Sequence, residues 1–248
     1  MHKGILNPAE AESIPIIKMI IQYLLWEPRK KNEVCCFSVP ADPIDREQDT
    51  IYHRGVIESI LKETGFTPLI IDEAYAVVLS EMEDVDFTGI GVSCGGGMVN
   101  VCLAFKSVPV MSFSITRGGD WIDQSAASAL NMAVTRVTTI KERGIDLKKP
   151  QGREAEAIAI FYRNYIRYFL EKMSQVFGQS SDKPDFADPV DIVFAGGSSL
   201  VEGFIDVVKE EAKTINLGIP VGKIRRANEP FTSVARGCLF NAINTSEG

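Results

Sequence analysis

Short apolar segments alternate with amphipathic stretches along this chain, and that alternation limits its fold more than any other feature. EVCCFSVP and FTPLIID have the length and composition of buried strands, while DREQDTIYHRGVIESILKETG and EAYAVVLSEM have helical spacing. Such an order is typical of α/β proteins. A chain of 248 residues is long enough for one large domain or two small lobes.

The later segments continue the pattern. FTGIGVS and MVNVCLAF predict a hairpin with glycines at its tip, and PVMSFSITRG predicts a third strand beside it. DIVFAGGSSLVEGFIDVVKEEA predicts a strand, a Gly-Gly turn and a helix. Three further helices are predicted over residues 9–26, over residues 121–143 and over EAEAIAIFYRNYIRYFLEKMSQVF.

Composition excludes several classes of protein. A formal charge of −7 and a pI near 5.0 argue against a nucleic-acid-binding surface, which is normally basic. The five cysteines are odd in number and include no C-x-x-C pair, so we expect reduced thiols in a cytoplasmic protein. The longest apolar stretch, SIPIIKMIIQYLLW, contains Lys18 and is too short to span a bilayer, so no transmembrane segment is predicted.

Histidines and aromatic residues have ordinary structural interpretations. His2 and His53 are far apart and have no metal-ligand spacing around them, so we expect both to face solvent. An aromatic stripe at near-helical spacing predicts core packing or a subunit contact rather than a ligand cage. It comprises Phe161, Tyr162, Tyr165, Tyr168 and Phe169.

Two glycine-rich turns have the chemistry of a phosphate or nucleotide site. GVSCGGGMVNV at residues 91–101 and AGGSS at residues 195–199 each place backbone amides at a strand end or a helix start. Glycine suits such turns because a Cβ would block close approach and disfavour positive φ.

Six segments in order resemble the actin-like ATPase superfamily, in particular its MreB, FtsA and MamK branch, with DnaK-type chaperones more distant. They are GFTPLIIDEAYAVVLS, GVSCGGGMVNV, ITRGGDWID, TTIKERG, IVFAGGSSLVEGF and IPVGKIRRANEPFTSVARGCL. The resemblance implies an α/β actin-like (ribonuclease H-like) fold of two lobes, with the first lobe truncated and the insertion subdomain of the second reduced. The first lobe would be residues 1–87 and the second 88–248, with the C-terminal helix returning to the first lobe.

The same resemblance assigns nucleotide-binding residues, with ATP or ADP as the ligand. The second phosphate hairpin would be Gly95, Gly96 and Gly97. Gly118, Gly119 and Asp120 would lie beside the phosphates, and Gly196, Gly197 and Ser198 would form the adenosine turn. Lys141 matches the lysine on the helix flanking the base and ribose.

Two acidic residues, Asp72 and Glu73, are the candidate catalytic groups. Glu73 falls where MreB-like proteins have the glutamate that positions the attacking water, a task for which a carboxylate is chemically suited. The alternative is that both acids only cap the following helix, where negative charge is favourable.

Departures from the family pattern weaken the expected site. Ser93 stands where the family usually has a magnesium-binding aspartate, and a hydroxyl is a much poorer partner for Mg²⁺ than a carboxylate. Thr138 replaces an acid that often contacts the ribose, and no metal-ligating residue is assigned. The aspartate-x-glycine-threonine hairpin of the family is missing, so Met1 resembles an internal methionine and an open sheet edge is expected in the first lobe.

Two functions therefore stay open at this stage. One is a nucleotide-binding protein of the prokaryotic cytoskeleton that forms filaments and hydrolyses ATP if the phosphate site is complete in the natural protein. The other is a catalytically inactive actin-like scaffold or regulatory module. A sugar or acetate kinase shares the fold, but the sequence shows no sign of an acceptor-substrate site.

Overall fold

A five-stranded mixed sheet carries most of the buried core. The computed structural model describes residues 4–6, 8–47, 50–180, 184–186 and 188–246. Within the sheet the strand order is β5-β4-β3-β6-β7, antiparallel from β5 to β3 and parallel from β3 to β7. The strands are β3 (Gly89–Cys94), β4 (Val99–Phe105), β5 (Val108–Ile115), β6 (Val190–Ala195) and β7 (Val221–Arg226).

A second, two-stranded parallel sheet is formed by β1 (Val34–Val39) and β2 (Thr67–Asp72). Its register runs from Val34 opposite Thr67 to Val39 opposite Asp72. The crossover between these strands is α2 (Ile51–Glu63), as parallel neighbours require. The strand β2 leads directly into α3 (Glu73–Glu81), which contacts both sheets.

Four helices accompany the larger sheet, and one of them holds the aromatic stripe. They are α4 (Gly119–Leu130), α5 (Val134–Glu142), α6 (Gly152–Gln179) and α7 (Phe204–Ala212). On α6, Tyr162, Tyr165 and Phe169 are fully buried in the core, so the packing role predicted for the stripe is confirmed. Between α5 and α6, residues 143–151 form no helix or strand beyond an isolated bridge from Asp146 to Glu202, consistent with a reduced insertion.

The C-terminal helix α8 (Ser233–Ser246) packs against both α3 and β1. The contact with α3 is very close, because a Cβ added to Gly237 would lie 1.9 Å from the carbonyl oxygen of Ala76. Only glycine therefore allows α8 to approach α3 this closely.

The first long helix, α1 (Ile14–Leu25), has no buried residue. Its exposed apolar side chains and that of the next residue form a surface that we call the α1 apolar face. The residues are Ile16, Met19, Ile20, Tyr23, Leu24, Leu25 and Trp26. Among the described residues, no helix is both long and apolar enough to cross a membrane.

Several sequence predictions were wrong in detail. The helix predicted over residues 121–143 is two helices, because Asn131 adopts a left-handed conformation (φ 54°) that ends α4. The helix predicted over residues 9–26 begins as a 3₁₀ segment, Pro8–Ser13. The edge strand β7 was not predicted.

His53 is buried rather than exposed to solvent. Its Nδ1 accepts a 3.2 Å hydrogen bond from the amide of Leu6, and burial lowers its pKa. The prediction for His2 lies outside the described residues. All five cysteines are free, as expected.

Candidate functional site

An open cavity of about 640 Å³ lies where the β3–β4 hairpin, α4, α5 and the turn after β6 meet. Six of the residues assigned by the sequence resemblance line it: Gly96, Gly119, Asp120, Lys141, Gly197 and Ser198. The glycine-rich turns, which are about a hundred residues apart in sequence, thus face one cavity.

The tip of the β3–β4 hairpin is hydrogen bonded to the first turn of α4. The amide of Gly119 donates to the carbonyl of Gly95 at 3.0 Å, and the amide of Asp120 donates to the carbonyl of Gly96 at 2.9 Å. The hydroxyl of Ser198 also donates to the carbonyl of Gly95. The hairpin, α4 and the turn after β6 are therefore held together by backbone carbonyls.

Two glycines behind the cavity wall are required for this close approach. A Cβ on Gly118 would lie 2.3 Å from the carbonyl oxygen of Gly96. Gly196 has a φ of +87°, and a Cβ there would lie 2.5 Å from the carbonyl oxygen of Cys94. These glycines shape the wall, and Gly97 lies in the hairpin turn without lining the cavity.

An ion pair lies in the cavity wall between α4 and α5. Nζ of Lys141 is 2.8 Å from Oδ2 of Asp123, and both side chains are largely buried. The hydroxyl of Thr138 donates to the same Oδ2 at 2.9 Å, and Nζ of Lys141 is 3.5 Å from the carbonyl oxygen of Gly119. Asp123 therefore fixes the ammonium group beside the start of α4.

Sequence reasoning did not assign several lining residues, and three of them have chemistry that bears on the site. Asp123 follows Asp120 by three residues, so helical spacing could have placed it on the same face. Tyr162 belongs to the aromatic stripe, and burial and the nearby Asp123 carboxylate raise the pKa of its phenol. Phe231 is 76% exposed, and its ring lies against Gly197.

Two buried oxygen atoms in the cavity wall have no hydrogen-bond partner in the described part of the protein. Oδ1 of Asp123 and the hydroxyl of Tyr162 are both buried without a hydrogen-bond partner. Buried polar atoms are usually paired, so each of these oxygens is expected to bind a water molecule or a ligand group.

Glu73 does not line this cavity, but it is joined to the hairpin that does. Its Oε1 accepts a 2.6 Å hydrogen bond from the hydroxyl of Ser93, which lies two residues before Gly95. Burial raises the pKa of the Glu73 carboxyl, and the hydrogen bond from Ser93 partly opposes that rise.

Asp72 occupies a different position. It is the N-cap residue of α3 and makes no side-chain cap hydrogen bond. It lines a separate cleft of about 530 Å³ together with Arg54 and Tyr75. The structure thus separates the two acids that the sequence analysis paired.

The cavity offers few side chains that could bind a metal ion. Among the described residues, no cluster of three or more histidines, cysteines or acids has the geometry to hold a metal ion. Besides Lys141, the charged residues lining the cavity are Asp120, Asp123, Glu142 and Glu202. A magnesium ion would therefore depend mainly on the phosphates and water for its ligands, as this cation commonly does.

Solved structures share this architecture. The chain resembles the structure titled "MamK double helical filament" with a TM-score of 0.76 and 19% identity, covering 100% of this chain and 80% of that one. It resembles MreB5 of Spiroplasma citri bound to AMPPNP with a TM-score of 0.76 and 15% identity, covering 100% and 79%. It resembles the ethanolamine utilization protein EutJ from Carboxydothermus hydrogenoformans with a TM-score of 0.64 and 17% identity, covering 97% and 77%.

These similarities, with the two-sheet topology, give the chain the actin-like ATPase fold. The expectation of that fold from the six sequence segments is confirmed. Residues 1–242 match the volactin family, and the chain belongs to it. No curated protein matches the chain.

Proposed function

We propose that this chain is a cytoskeletal actin-like protein that binds ATP or ADP in the glycine-walled cavity and assembles with copies of itself. The observation that carries the proposal is the convergence of both glycine turns and Lys141 on one cavity. Structures of similar fold support it, since one is a MamK filament, another is MamK bound to AMPPNP and a third is MreB5 bound to ADP.

Each group in the wall would have a defined task. The turn after β6 would hold the nucleoside, with the exposed Phe231 ring offering a stacking surface for the base. Lys141, oriented by Asp123, would supply positive charge and hydrogen-bond donors on the base and ribose side of the nucleotide. Mg²⁺ would neutralise phosphate charge that the lining carboxylates cannot.

Hydrolysis would use Glu73. This carboxylate is joined through Ser93 to the strand that ends in the glycine triplet, so it can hold and polarise a water molecule on that side. Its raised pKa makes it a stronger base once ionised.

Self-association would use surfaces that the monomer leaves open. On the α1 apolar face, Tyr23 is 81% exposed and Trp26 is 82% exposed. A contiguous exposed apolar surface of this kind commonly marks a protein interface. We propose a cytoplasmic setting, because the free cysteines fit a reducing compartment.

We further propose that residues 1–87 and 88–248 act as two lobes. Because α8 contacts β1 and α3, it would join the first lobe to the second. Nucleotide in the cavity would then change how the lobes close.

The test is calorimetric titration of the folded chain with ATP and ADP, each with and without Mg²⁺, followed by sedimentation of assembled protein. We expect saturable binding that Mg²⁺ tightens, and nucleotide-dependent pelleting. Absence of binding at millimolar nucleotide in a folded sample would contradict the proposal.

A catalytically inactive scaffold is the second candidate, and Ser93 favours it because a hydroxyl is a much weaker partner for Mg²⁺ than a carboxylate. Phosphate release separates the two candidates. A scaffold would assemble and bind nucleotide without releasing phosphate above the background of the Glu73→Gln variant.

A further inference from the structure

Two cysteines from distant parts of the sequence meet where α8 packs on β1. Cys36 lies on β1 and Cys238 lies on α8, and the packing of this helix on this strand brings the two side chains together. They belong to one apolar cluster with Ile71, Ala76 and Leu79. Cys36 is half-buried, whereas Cys238 is only 8% exposed.

The surroundings of Cys36 favour its thiolate. The side-chain amide of Asn241, one turn after Cys238 on α8, donates to Sγ of Cys36 at 3.6 Å. Hydrogen bonds from Cys238 and Asn241 lower the pKa of the Cys36 thiol to about 7. The hydrogen bond with Cys36 and burial raise the pKa of Cys238, and burial raises that of Cys35.

This arrangement separates the two roles that a redox pair needs. A partly exposed thiol with a hydrogen-bond donor beside it can act as the attacking thiolate, and a buried thiol packed near it can act as the resolving partner. Transient disulfides of this kind are the ones found in reducing compartments.

We propose that Cys36 and Cys238 form a reversible disulfide when the protein meets a hydroperoxide. The Cys36 thiolate attacks one peroxide oxygen, the O–O bond breaks, and Cys36 becomes a sulfenic acid while the leaving oxygen takes a proton. Sγ of Cys238 then attacks Sγ of Cys36, and the released hydroxide leaves as water with the Cys238 proton. Two thiols are oxidised and one peroxide is reduced, and an external thiol reverses the reaction by exchange.

The new bond would tie the two-stranded sheet to α8 covalently. Since α8 also packs on α3, which begins with Glu73, and follows Phe231 at the cavity, the bond would restrict motion between these elements. The proposal does not depend on nucleotide binding, because it rests only on the α8–β1 contact.

The experiment is peptide mapping of the folded, full chain without reductant, before and after hydrogen peroxide treatment. We expect a Cys36–Cys238 cross-linked peptide, lighter by two hydrogen atoms, which disappears after dithiothreitol. Cys36→Ser and Cys238→Ser should each abolish it, while the neighbouring Cys35→Ser should retain it. In Cys238→Ser, a dimedone adduct should appear on Cys36.

Circular dichroism of each variant would establish that it is folded. The proposal would be overturned if the folded wild-type chain gave no such peptide, or if Cys35→Ser abolished it. It would also be overturned if Cys36 were oxidised to a sulfinic acid while Cys238 stayed reduced.

Discussion

The hydroxyl of Ser93 donates a 2.6 Å hydrogen bond to Oε1 of Glu73. This bond joins β3 to the first residue of α3. The carboxylate beside the hairpin therefore comes from a neighbouring element, α3. A serine at this position cannot ligate magnesium well, but it can hold Glu73 in a fixed orientation. Ser93 is 2% exposed, which limits competition from solvent for that bond.

Replacing Glu73 by glutamine should separate hydrolysis from binding. Because Glu73 does not line the cavity, Glu73→Gln should leave ATP affinity unchanged, while loss of a general base lowers phosphate release by about 10²–10⁴-fold. A phosphate-release assay beside calorimetry measures both quantities. The exposed Glu83→Gln serves as the control, and equal rates for wild type and Glu73→Gln would remove Glu73 from the reaction.

The same substitution should change how stability depends on pH. Since burial raises the Glu73 pKa in the folded state, ionising it costs stability as the pH rises from its unfolded value through the raised folded value. Glu73→Gln should therefore match wild type at acidic pH and become relatively more stable as the pH approaches neutrality. Urea unfolding at a series of pH values tests this, and a constant difference across the series would contradict it.

Lys141→Ala should weaken nucleotide binding. It removes a cation from the cavity and leaves Asp123 buried with an uncompensated charge, so we expect a loss of about 10-fold or more in ATP affinity together with lower stability. Arg136→Ala is the matched control, because Arg136 is an exposed cation on the same helix. Unchanged ATP affinity in a folded Lys141→Ala variant would exclude Lys141 from the nucleotide site.

Gly237→Ala should destabilise the fold. The added methyl would collide with the carbonyl of Ala76 and force α8 away from α3, at a cost of about 1–3 kcal/mol. Gly55 also lies within a helix, but open space surrounds it, so Gly55→Ala should be neutral or stabilising by up to about 1 kcal/mol. Denaturant midpoints measured for both variants would refute the packing argument if they shifted alike.

A charge on the α1 apolar face should prevent assembly. Tyr23→Glu places a carboxylate at a site that would be desolvated in the proposed interface, so pelleting should fall while nucleotide binding persists. Ile160→Glu is the control, because Ile160 is an exposed apolar residue on α6. Full pelleting of Tyr23→Glu would exclude α1 from the interface.

Sequence patterns predicted the elements better than the site. Strands β1 to β6 and most of the helices followed from apolar periodicity, whereas β7 did not, and the order of the glycine turns indicated the fold. The break at Asn131 was missed because one residue in a left-handed conformation interrupts an otherwise helical pattern. The burial of His53 depends on a contact with Leu6, which no local pattern reveals.

Contacts between distant segments account for what was missed in the site. The pairing of Asp123 with Lys141 joins two helices, and the bond between Ser93 and Glu73 joins a strand to a helix. Such contacts form only when the elements pack together in the fold. The residue type at each position therefore suggests which side chains belong to a site, but it does not show which side chains they contact.

The carbonyls of Gly95 and Gly96 already accept hydrogen bonds from the amides of Gly119 and Asp120. A ligand oxygen that accepts hydrogen bonds from these amides must replace the carbonyl oxygens. For a neutral ligand oxygen, this replacement gives almost no net binding free energy. A charged phosphate oxygen gains more, because ionised acceptors form the stronger hydrogen bonds. At these two amides, the site would thus discriminate by charge, and a nucleoside without phosphates would leave the hairpin bound to α4.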